Sequence, residues 1–487
     1  MTKANVLNHD IPFEKYFEEI SRIPRGSNNE MAISNYLVNF AKEHNLKYHQ
    51  DEAYNVIIYK PASLGFENVP AVILQAHMDM VCEKEIGCKH DFFKDPLDLY
   101  LEGPENNILR ARGTTLGADD GMGVAQELAI LANNDSPHPA LEYVFTVEEE
   151  IGMKGAAVLD YSRLTGRRMI SLDSGQEENP IVASCGGICI DMKKRTKRVP
   201  LQGEVAGFMV GGLISGHSGG VVNNDRGNAL KLAGRVLGEL LYGGINFNLL
   251  AISGGTLHNV VPKECEAMFA CPKEQLGKVK EIVERLNQEI QEEYKASDKG
   301  VYVKLVSRKP FSEMISTADT KDIIALLNIL PNDIYRKNME HEGVVAASNC
   351  IAVIKTENDF VEINVSIRAQ SESMMTELFH KMDFAIQMCG FVPTISSNYP
   401  CWVFAGRSPM WVRLDNLMQK MWGKALRSRL VHGGVECGYF YANIPGIDIV
   451  SVGPYCGEVH TTNEWLDLKS AHRIYLFLLT LLAEMQE

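Results

Sequence analysis

The chain contains 487 residues, which exceeds the roughly 150 residues of an ordinary domain, so we expect two or three compact units. Hydrophobic residues make up 45% and charged residues 23% of the chain, which is typical of globular proteins and excludes a disordered or fibrous chain. The 62 acidic and 48 basic residues give a net charge of −14, which opposes binding to nucleic acid or anionic lipid.

The sequence predicts neither a secretion signal nor a membrane span. The first ten residues contain no apolar segment, and the longest strongly apolar run, residues 474–483, has about half the length that crosses a bilayer. The eleven cysteines lack the two-residue spacing of zinc knuckles and redox pairs, which favours reduced thiols. We therefore expect a cytoplasmic protein without nucleic-acid or membrane partners.

Helical and strand-like periods alternate along the first 185 residues. The predicted elements are helices at 13–20 and 31–40, strands at 55–59 and 71–75, a helix after Gly121, a strand at 141–147, a short helix at 153–159 and a strand at 169–172. This alternation is typical of an α/β layer.

Strands rich in glycine and valine become frequent after Gly186. The elements predicted there are strands at 188–192, 208–214, 247–252, 301–306, 351–354 and 361–367, and helices at 228–241, 274–294 and 372–388. The first pattern returns near Pro400, with helices at 409–422 and 468–485 and strands near 430 and at 447–452. We therefore predict an α/β fold, in which a discontinuous α/β domain (1–186 and 397–487) is interrupted by an inserted α+β domain (187–396).

The most informative motif is the pair His77 and Asp79, which ends a continuous apolar run typical of a buried strand. Carboxyl ends of strands are where α/β sheets bind ligands, and the period of two points both side chains to one side. His77 could therefore bind a metal ion while Asp79 orients its imidazole. The alternative is a strand end that only solvates a loop.

Two acidic clusters follow in the same predicted domain. Asp119 and Asp120 lie among glycines directly before a helix, which favours either a bound ion or an ordinary helix cap. The three consecutive glutamates at 148–150 follow a strand and repel one another unless cations or protons relieve the repulsion. Acidic runs are also common on protein surfaces, so neither cluster alone defines a site.

Two single residues complete the set. Asp173 follows another predicted strand, and His460 lies in a late loop, where a lone histidine is more often polar surface. In combination these motifs supply oxygen and nitrogen ligands without thiolates, which suit zinc, manganese or cobalt. A shared carboxylate would let two ions activate one bridging water for hydrolysis.

Five motifs resemble, in order and approximate spacing, those of the di-zinc exopeptidase family that includes the aminoacyl-histidine dipeptidases and, more distantly, carnosinase. The motifs are 77–79, 117–121, 149–152, 172–174 and His460. Segments 216–220 and 432–438 are most similar to the histidine dipeptidase branch. The resemblance covers the whole chain and implies a di-zinc exopeptidase-like α/β catalytic domain with an inserted α+β lid domain.

The resemblance implies two divalent metal ions per subunit, with zinc as the expected ion and manganese or cobalt as alternatives. It implies that Asp119 bridges the two ions, that His77 and Asp173 complete one site, and that Glu150 and His460 complete the other.

The same resemblance implies the residues that act on the substrate. Glu149 would be the general base, Asp79 would support His77, and the peptide bond between Asp119 and Asp120 would be cis. The side chains implied to contact the substrate are His217 at the oxyanion, Arg368 at the free carboxylate, and Asn259 and Glu436 at the substrate termini.

The implied activity is metal-dependent hydrolysis of dipeptides, including Xaa-His dipeptides, and the implied partners are the small peptide substrate and a second copy of the chain, bound through the lid domain. An amidohydrolase or deacylase of N-acylated amino acids, which would use the same ions, is the alternative. A metal-binding module without activity would not need Glu149.

Two other hydrolase classes share only fragments of the pattern. Residues 216–220 match the G-x-S-x-G of serine hydrolases, but residues 221–227 are typical of a loop, whereas that nucleophile requires a helix directly after it. His341 and Glu342 lack the second histidine of a thermolysin-like helix.

Overall fold

The computed structural model describes residues 5–306 and 310–486, and these residues form two compact units. Unit 1 consists of the described residues of Met1–Ser184, Trp402–Val431 and Val435–Glu487, and unit 2 of those of Cys185–Cys401 and His432–Gly434. The boundaries predicted at 186/187 and 396/397 differ from these by a few residues. The roles given to the two predicted domains stay predictions.

The first part of unit 1 alternates helices with strands. Its helices are α1 (Pro12–Ile20), α2 (Met31–Glu43), α3 (Ala118–Ala132) and α4 (Lys154–Val158). Its strands are β1 (Lys47–Gln50), β2 (Val56–Lys60), β3 (Val72–His77), β4 (Leu99–Glu102), β5 (Ile108–Ala111), β6 (Leu141–Thr146), β7 (Arg168–Ser171) and β8 (Ile181–Ser184).

Unit 2 follows in the chain and is richer in strands. Its strands are β9 (Gly186–Arg195), β10 (Arg198–Pro200), β11 (Glu204–Gly211), β12 (Asn248–Gly254), β13 (Cys265–Cys271), β14 (Tyr302–Leu305), β15 (Glu313–Ile315), β16 (Asp333–Lys337), β17 (Val345–Glu357), β18 (Phe360–Ala369) and β19 (Val392–Tyr399). Its helices are α5 (Ala229–Tyr242), α6 (Leu276–Glu293), α7 (Thr317–Ile329) and α8 (Glu372–Met388).

The chain then returns to unit 1. The elements there are α9 (Pro409–Trp422), β20 (Arg429–Val431), α10 (Cys437–Asn443), β21 (Asp448–Ser451), β22 (Cys456–Gly457), β23 (Trp465–Asp467) and α11 (Leu468–Ala483). Within the described ranges, no helix combines the length and apolar character that a membrane crossing requires.

The large sheet of unit 1 has the order β1-β2-β6-β3-β7-β21-β8-β20. Its centre is parallel, because β3 pairs in parallel with both β6 and β7, and β7 pairs in parallel with β21. Alternate residues of β3 enter different cores, with Val72 and Leu74 packed in one and Ile73 in the other. Both faces of the sheet are therefore covered, which explains why its strands read as continuous apolar runs.

The large sheet of unit 2 has the order β14-β11-β13-β12-β17-β18-β9-β19, with β16 paired to β17. Apolar side chains alternate along β18, where Val365 and Ile367 belong to the core of this unit. The period of two therefore places Arg368 on the face of β18 opposite to that core.

Most predicted elements coincide with observed ones. Strands β13 and β19 and helix α7 were not predicted, and for the two strands the reason is clear. Strand β13 lacks β-branched residues and was not predicted, because its sequence gives little preference for a strand. Strand β19 carries Pro393 and mostly exposed side chains, as an edge strand of a sheet can. Helix α7 also was not predicted, although Ser316 caps it by accepting a hydrogen bond from the Asp319 N–H.

Candidate functional site

Three neighbouring parallel strands of unit 1 end at the same edge of the sheet, and each is followed by predicted site residues. His77 is the last residue of β3, the three glutamates at 148–150 follow β6, and Asp173 follows β7. Asp119 lies in the first turn of α3, with a cis peptide bond to Asp120 as expected. The edge is therefore the place at which an α/β sheet binds its ligand.

Four predicted metal-binding residues contact one another at this edge. The Nε2 atom of His77 lies 3.3 Å from Oδ1 of Asp119. The Nε2 atom of His460 lies 3.4 Å from Oδ2 of Asp119 and 3.0 Å from Oε2 of Glu150. His77, Asp119 and Glu150 each offer one ligand atom within 4.8 Å of the others. The carboxylate of Asp119 is thus placed between the two histidines, which are 383 residues apart in the sequence.

Asp173 belongs to the same charge cluster. Burial first, and then the negative charge of Asp119, raise the pKa of Asp173 to about 7. Asp173 also lines, with Asp119 and Asp120, an open cavity of about 290 Å³ within unit 1. Repulsion among closely spaced carboxylates of this kind is relieved by a bound cation.

Two further observations indicate that these imidazole and carboxylate groups fit divalent ions. Burial alone would lower the pKa of His460, but hydrogen bonds to Asp119 and Glu150 raise it to about 11, so these carboxylates attract positive charge strongly. Among the described residues, Oε1 of Glu150 is buried without a hydrogen-bond partner, which is unusual unless a ligand satisfies it. Imidazole and carboxylate ligands without thiolate suit zinc, manganese or cobalt.

Asp79 joins two segments of the site. Its carboxylate accepts hydrogen bonds from the backbone N–H groups of Glu149 (3.0 Å) and Glu150 (3.3 Å) and from the Ser27 hydroxyl (2.7 Å). Its Oδ1 atom faces Nδ1 of His77 at 3.4 Å. Asp79 thus lies against the imidazole whose other nitrogen faces Asp119, and its role in orienting that imidazole stays a prediction. The contact with Ser27 was not predicted, and no spacing in the sequence signals it.

Glu149 is half-buried and lies among other charges. Burial first raises its pKa well above the ordinary value; the nearby His77 lowers it, and the charges of Glu150, Asp173 and Glu436 raise it again. A carboxyl group with a raised pKa is suited to accepting and returning a proton near neutral pH.

Glu436 lies inside unit 1, with 2% of its surface exposed. Its Oε2 atom accepts hydrogen bonds from the Gln75 amide and the Thr146 hydroxyl, each at 2.6 Å. Burial raises its pKa to about 8. The structure thus gives this carboxylate protein partners beneath the strand ends, and its contact with a substrate terminus stays a prediction.

The other predicted substrate-binding residues lie together in unit 2. Arg368 donates hydrogen bonds to the Tyr399 hydroxyl (2.8 Å) and to Nε2 of His217 (3.3 Å). The carbonyl oxygen of Asn259 accepts a hydrogen bond from the N–H of Ser218, next to His217. Residues 222–224 form a short 3₁₀ turn and helix α5 begins only at Ala229, so no helix directly follows Ser218.

This fold and this set of side chains define a metallopeptidase. Residues 73–484 match the model of peptidase family M20/M25/M40, and the chain belongs to this family. The resemblance inferred from the sequence motifs is thereby confirmed, as are the α/β fold and the peptidase class.

Curated and solved relatives agree with this assignment. The chain is 32% identical over 475 residues to the cytosol non-specific dipeptidase of Escherichia coli, covering 97% of both chains. It is 31% identical to the solved aminoacylhistidine dipeptidase of Vibrio alginolyticus, with a TM-score of 0.85 and coverage of 99% and 98%. Human carnosine dipeptidase 1 shares the fold, with a TM-score of 0.51, 12% identity and coverage of 98% and 97%.

Proposed function

We propose that the protein is a cytoplasmic, metal-dependent dipeptidase whose substrates include Xaa-His dipeptides. The observation that carries the proposal is the contact of His77, Asp119, Glu150 and His460 beside the half-buried Glu149. The two relatives that share more than 30% identity and cover nearly the whole chain are named dipeptidases, which supports dipeptides over N-acylated amino acids as substrates.

We propose that the site holds two divalent ions, with zinc expected and manganese or cobalt as alternatives. Asp119 would bind both ions, His77 and Asp173 would bind one, and Glu150 and His460 would bind the other. When bound, such ions polarise the scissile carbonyl group and lower the pKa of the attacking water.

The protein's own residues then supply the proton transfers. Glu149 would accept a proton from the attacking water and return it to the leaving amine, so that one carboxyl group serves as base and then as acid. For unit 2 we propose that His217 stabilises the oxyanion. Arg368 would bind the free carboxylate of the substrate, because a guanidinium group matches a carboxylate in shape and charge. Asn259 and Glu436 are proposed at the substrate termini.

We further propose a homodimer formed through the inserted domain, residues 187–396, and no nucleic-acid or membrane partner. The net negative charge supports the absence of a nucleic-acid or membrane partner, since 62 acidic residues outnumber 48 basic ones.

The test is an assay of purified protein against a dipeptide panel that includes β-alanyl-histidine. Activity should disappear after treatment with a chelator and return with zinc, manganese or cobalt. The same panel should contain an N-acetylated dipeptide, because a deacylase would cleave the acylated compound and a dipeptidase would require the free amine. Hydrolysis that persists after complete metal removal would contradict the proposal.

A further inference from the structure

A buried carboxylate from the end of the chain binds the start of helix α3. Glu464 is 3% exposed. Its two oxygens accept hydrogen bonds from the backbone N–H groups of Leu116 (2.7 Å), Gly117 (2.9 Å) and Ala118 (2.8 Å), with the N–H of Asp119 at 3.5 Å. One side chain thus occupies the donors of four consecutive residues, the last of which is the proposed bridging ligand.

This contact replaces a local helix cap. The first N–H groups of a helix have no partner within the helix, and an anion there is favoured by the helix dipole. The residue at the cap position, Gly117, has no side chain and adopts a φ of 65°. Glu464 supplies the missing acceptor from 347 positions further along the chain, and it lies four residues after His460.

A buried cation binds the other side of the same peptide segment. Arg25 is 2% exposed, and its guanidinium donates hydrogen bonds to the carbonyl oxygens of Gly117, Met78 (3.0 Å) and Asp79 (3.2 Å). A Cβ atom at Gly117 would lie 2.6 Å from this guanidinium, and one at Gly121 would lie 2.3 Å from it. The glycines therefore leave the space that Arg25 occupies.

We propose that Glu464 and Arg25 are positioning residues for the metal centre. Gly117 donates its N–H to Glu464 and accepts at its carbonyl oxygen from Arg25, so both charged groups fix one peptide segment directly before Asp119. Arg25 also binds the backbone that follows His77. The pair thereby fixes the separation of Asp119 from His77 without contacting ion or substrate, an inference that rests on the two-ion site proposed above.

The test is the visible absorption spectrum and affinity of cobalt added to metal-free protein, compared between wild type and Glu464→Gln. Glutamine keeps the size of the side chain but places an NH₂ group against backbone donors. We expect cobalt affinity to fall about tenfold to a hundredfold, as for other residues behind metal ligands. The ligand-field bands should also change, because the ligand geometry changes.

The matched control is Glu142→Gln. Glu142 is likewise buried, with 5% of its surface exposed, and accepts hydrogen bonds from the N–H groups of Thr165 and Gly166. It lies at the start of β6, at the end of the strand away from the site. This variant should lose stability and keep the wild-type cobalt spectrum. Equal cobalt affinity and equal spectra in wild type and Glu464→Gln would overturn the proposal.

Two further variants cover the case in which Glu464→Gln does not fold. Glu464→Asp shortens the side chain by one methylene, and Arg25→Lys keeps the charge but cannot span three carbonyl oxygens. Each variant should bind cobalt more weakly and show shifted ligand-field bands. Wild-type cobalt affinity and wild-type spectra in both variants would refute the inference. If wild-type protein itself binds fewer than two cobalt ions, the proposed function fails, which is a distinct result.

Discussion

Replacing Asp79 by Asn tests how the site is held together, because the two side chains have nearly the same shape. Asp79 is fully buried and accepts hydrogen bonds from Ser27 and from the N–H groups of Glu149 and Glu150. Burial alone would raise its pKa, but contacts with His77 and these donors lower it. The carboxylate is therefore ionised and fully used as an acceptor.

The expected magnitudes follow from these contacts. An Asn amide retains one acceptor oxygen, so the N–H of Glu149 or of Glu150 loses its partner, at a cost of about 1–3 kcal/mol in the free energy of unfolding. The imidazole of His77 loses its anionic partner, which for residues behind metal ligands lowers metal affinity about tenfold to a hundredfold, or about 1.4–2.7 kcal/mol.

Two measurements on the same preparations check these values. A competition titration with a chromogenic chelator gives metal affinity, and urea unfolding of the metal-free protein gives stability. Asp415→Asn is the control, because Asp415 is also buried and its two oxygens accept hydrogen bonds from the N–H of Leu426 (2.8 Å) and the side-chain amide of Gln419 (3.0 Å), in a part of unit 1 that carries no site residue. It should lose stability and keep metal affinity. Wild-type metal affinity in Asp79→Asn would refute the reasoning.

Three further outcomes are expected. Glu149→Gln should lower kcat about 10²- to 10⁴-fold at unchanged metal stoichiometry. The control Glu148→Gln, which removes a charge that pairs with a lysine, should leave kcat unchanged. Equal kcat values for the two variants would exclude Glu149 as the base. Arg368→Met should raise KM about 10- to 100-fold for dipeptides with a free carboxylate but not for their amides, and an equal rise for both would exclude that contact. Burial, followed by the charge of Arg368, lowers the pKa of His432 to about 4, against about 6.5 when unfolded. As the pH falls from about 6.5 to about 4, the unfolded chain binds this proton before the folded chain does, so the free energy of unfolding should decrease over this range. His432→Asn should remove that part of the fall in urea unfolding at each pH, and identical pH profiles would contradict the assignment.

The fold could be predicted from the sequence wherever the local pattern and the tertiary structure favour the same element. The predicted helices at 372–388 and 409–422 have the observed bounds, and the apolar run before His77 is the buried strand β3. Strands β13 and β19 could not be predicted, because pairing with neighbouring strands stabilises them despite weak local preference.

The site was predictable only in its chemically distinctive residues. His77, Asp119, Glu150 and His460 are of residue types that bind metals, and the structure brings them together. Their assignment as ligands stays a prediction, as do the roles of Glu149, Asp173, His217, Arg368, Asn259 and Glu436. Arg25 and Glu464 gave no signal, because a single arginine or glutamate is common at surfaces and only the folded backbone shows what it binds.

The position of β21 has a consequence for synthesis on the ribosome. This strand lies between β7 and β8 in the sheet of unit 1, yet it is translated more than 260 residues after them. A nascent chain that has not reached Ser451 therefore lacks a central strand of that sheet, while the continuous stretch 185–401 of unit 2 is already complete. Because domains fold as units, we expect unit 2 to fold first, and the hydrolytic centre to form only when translation is nearly finished.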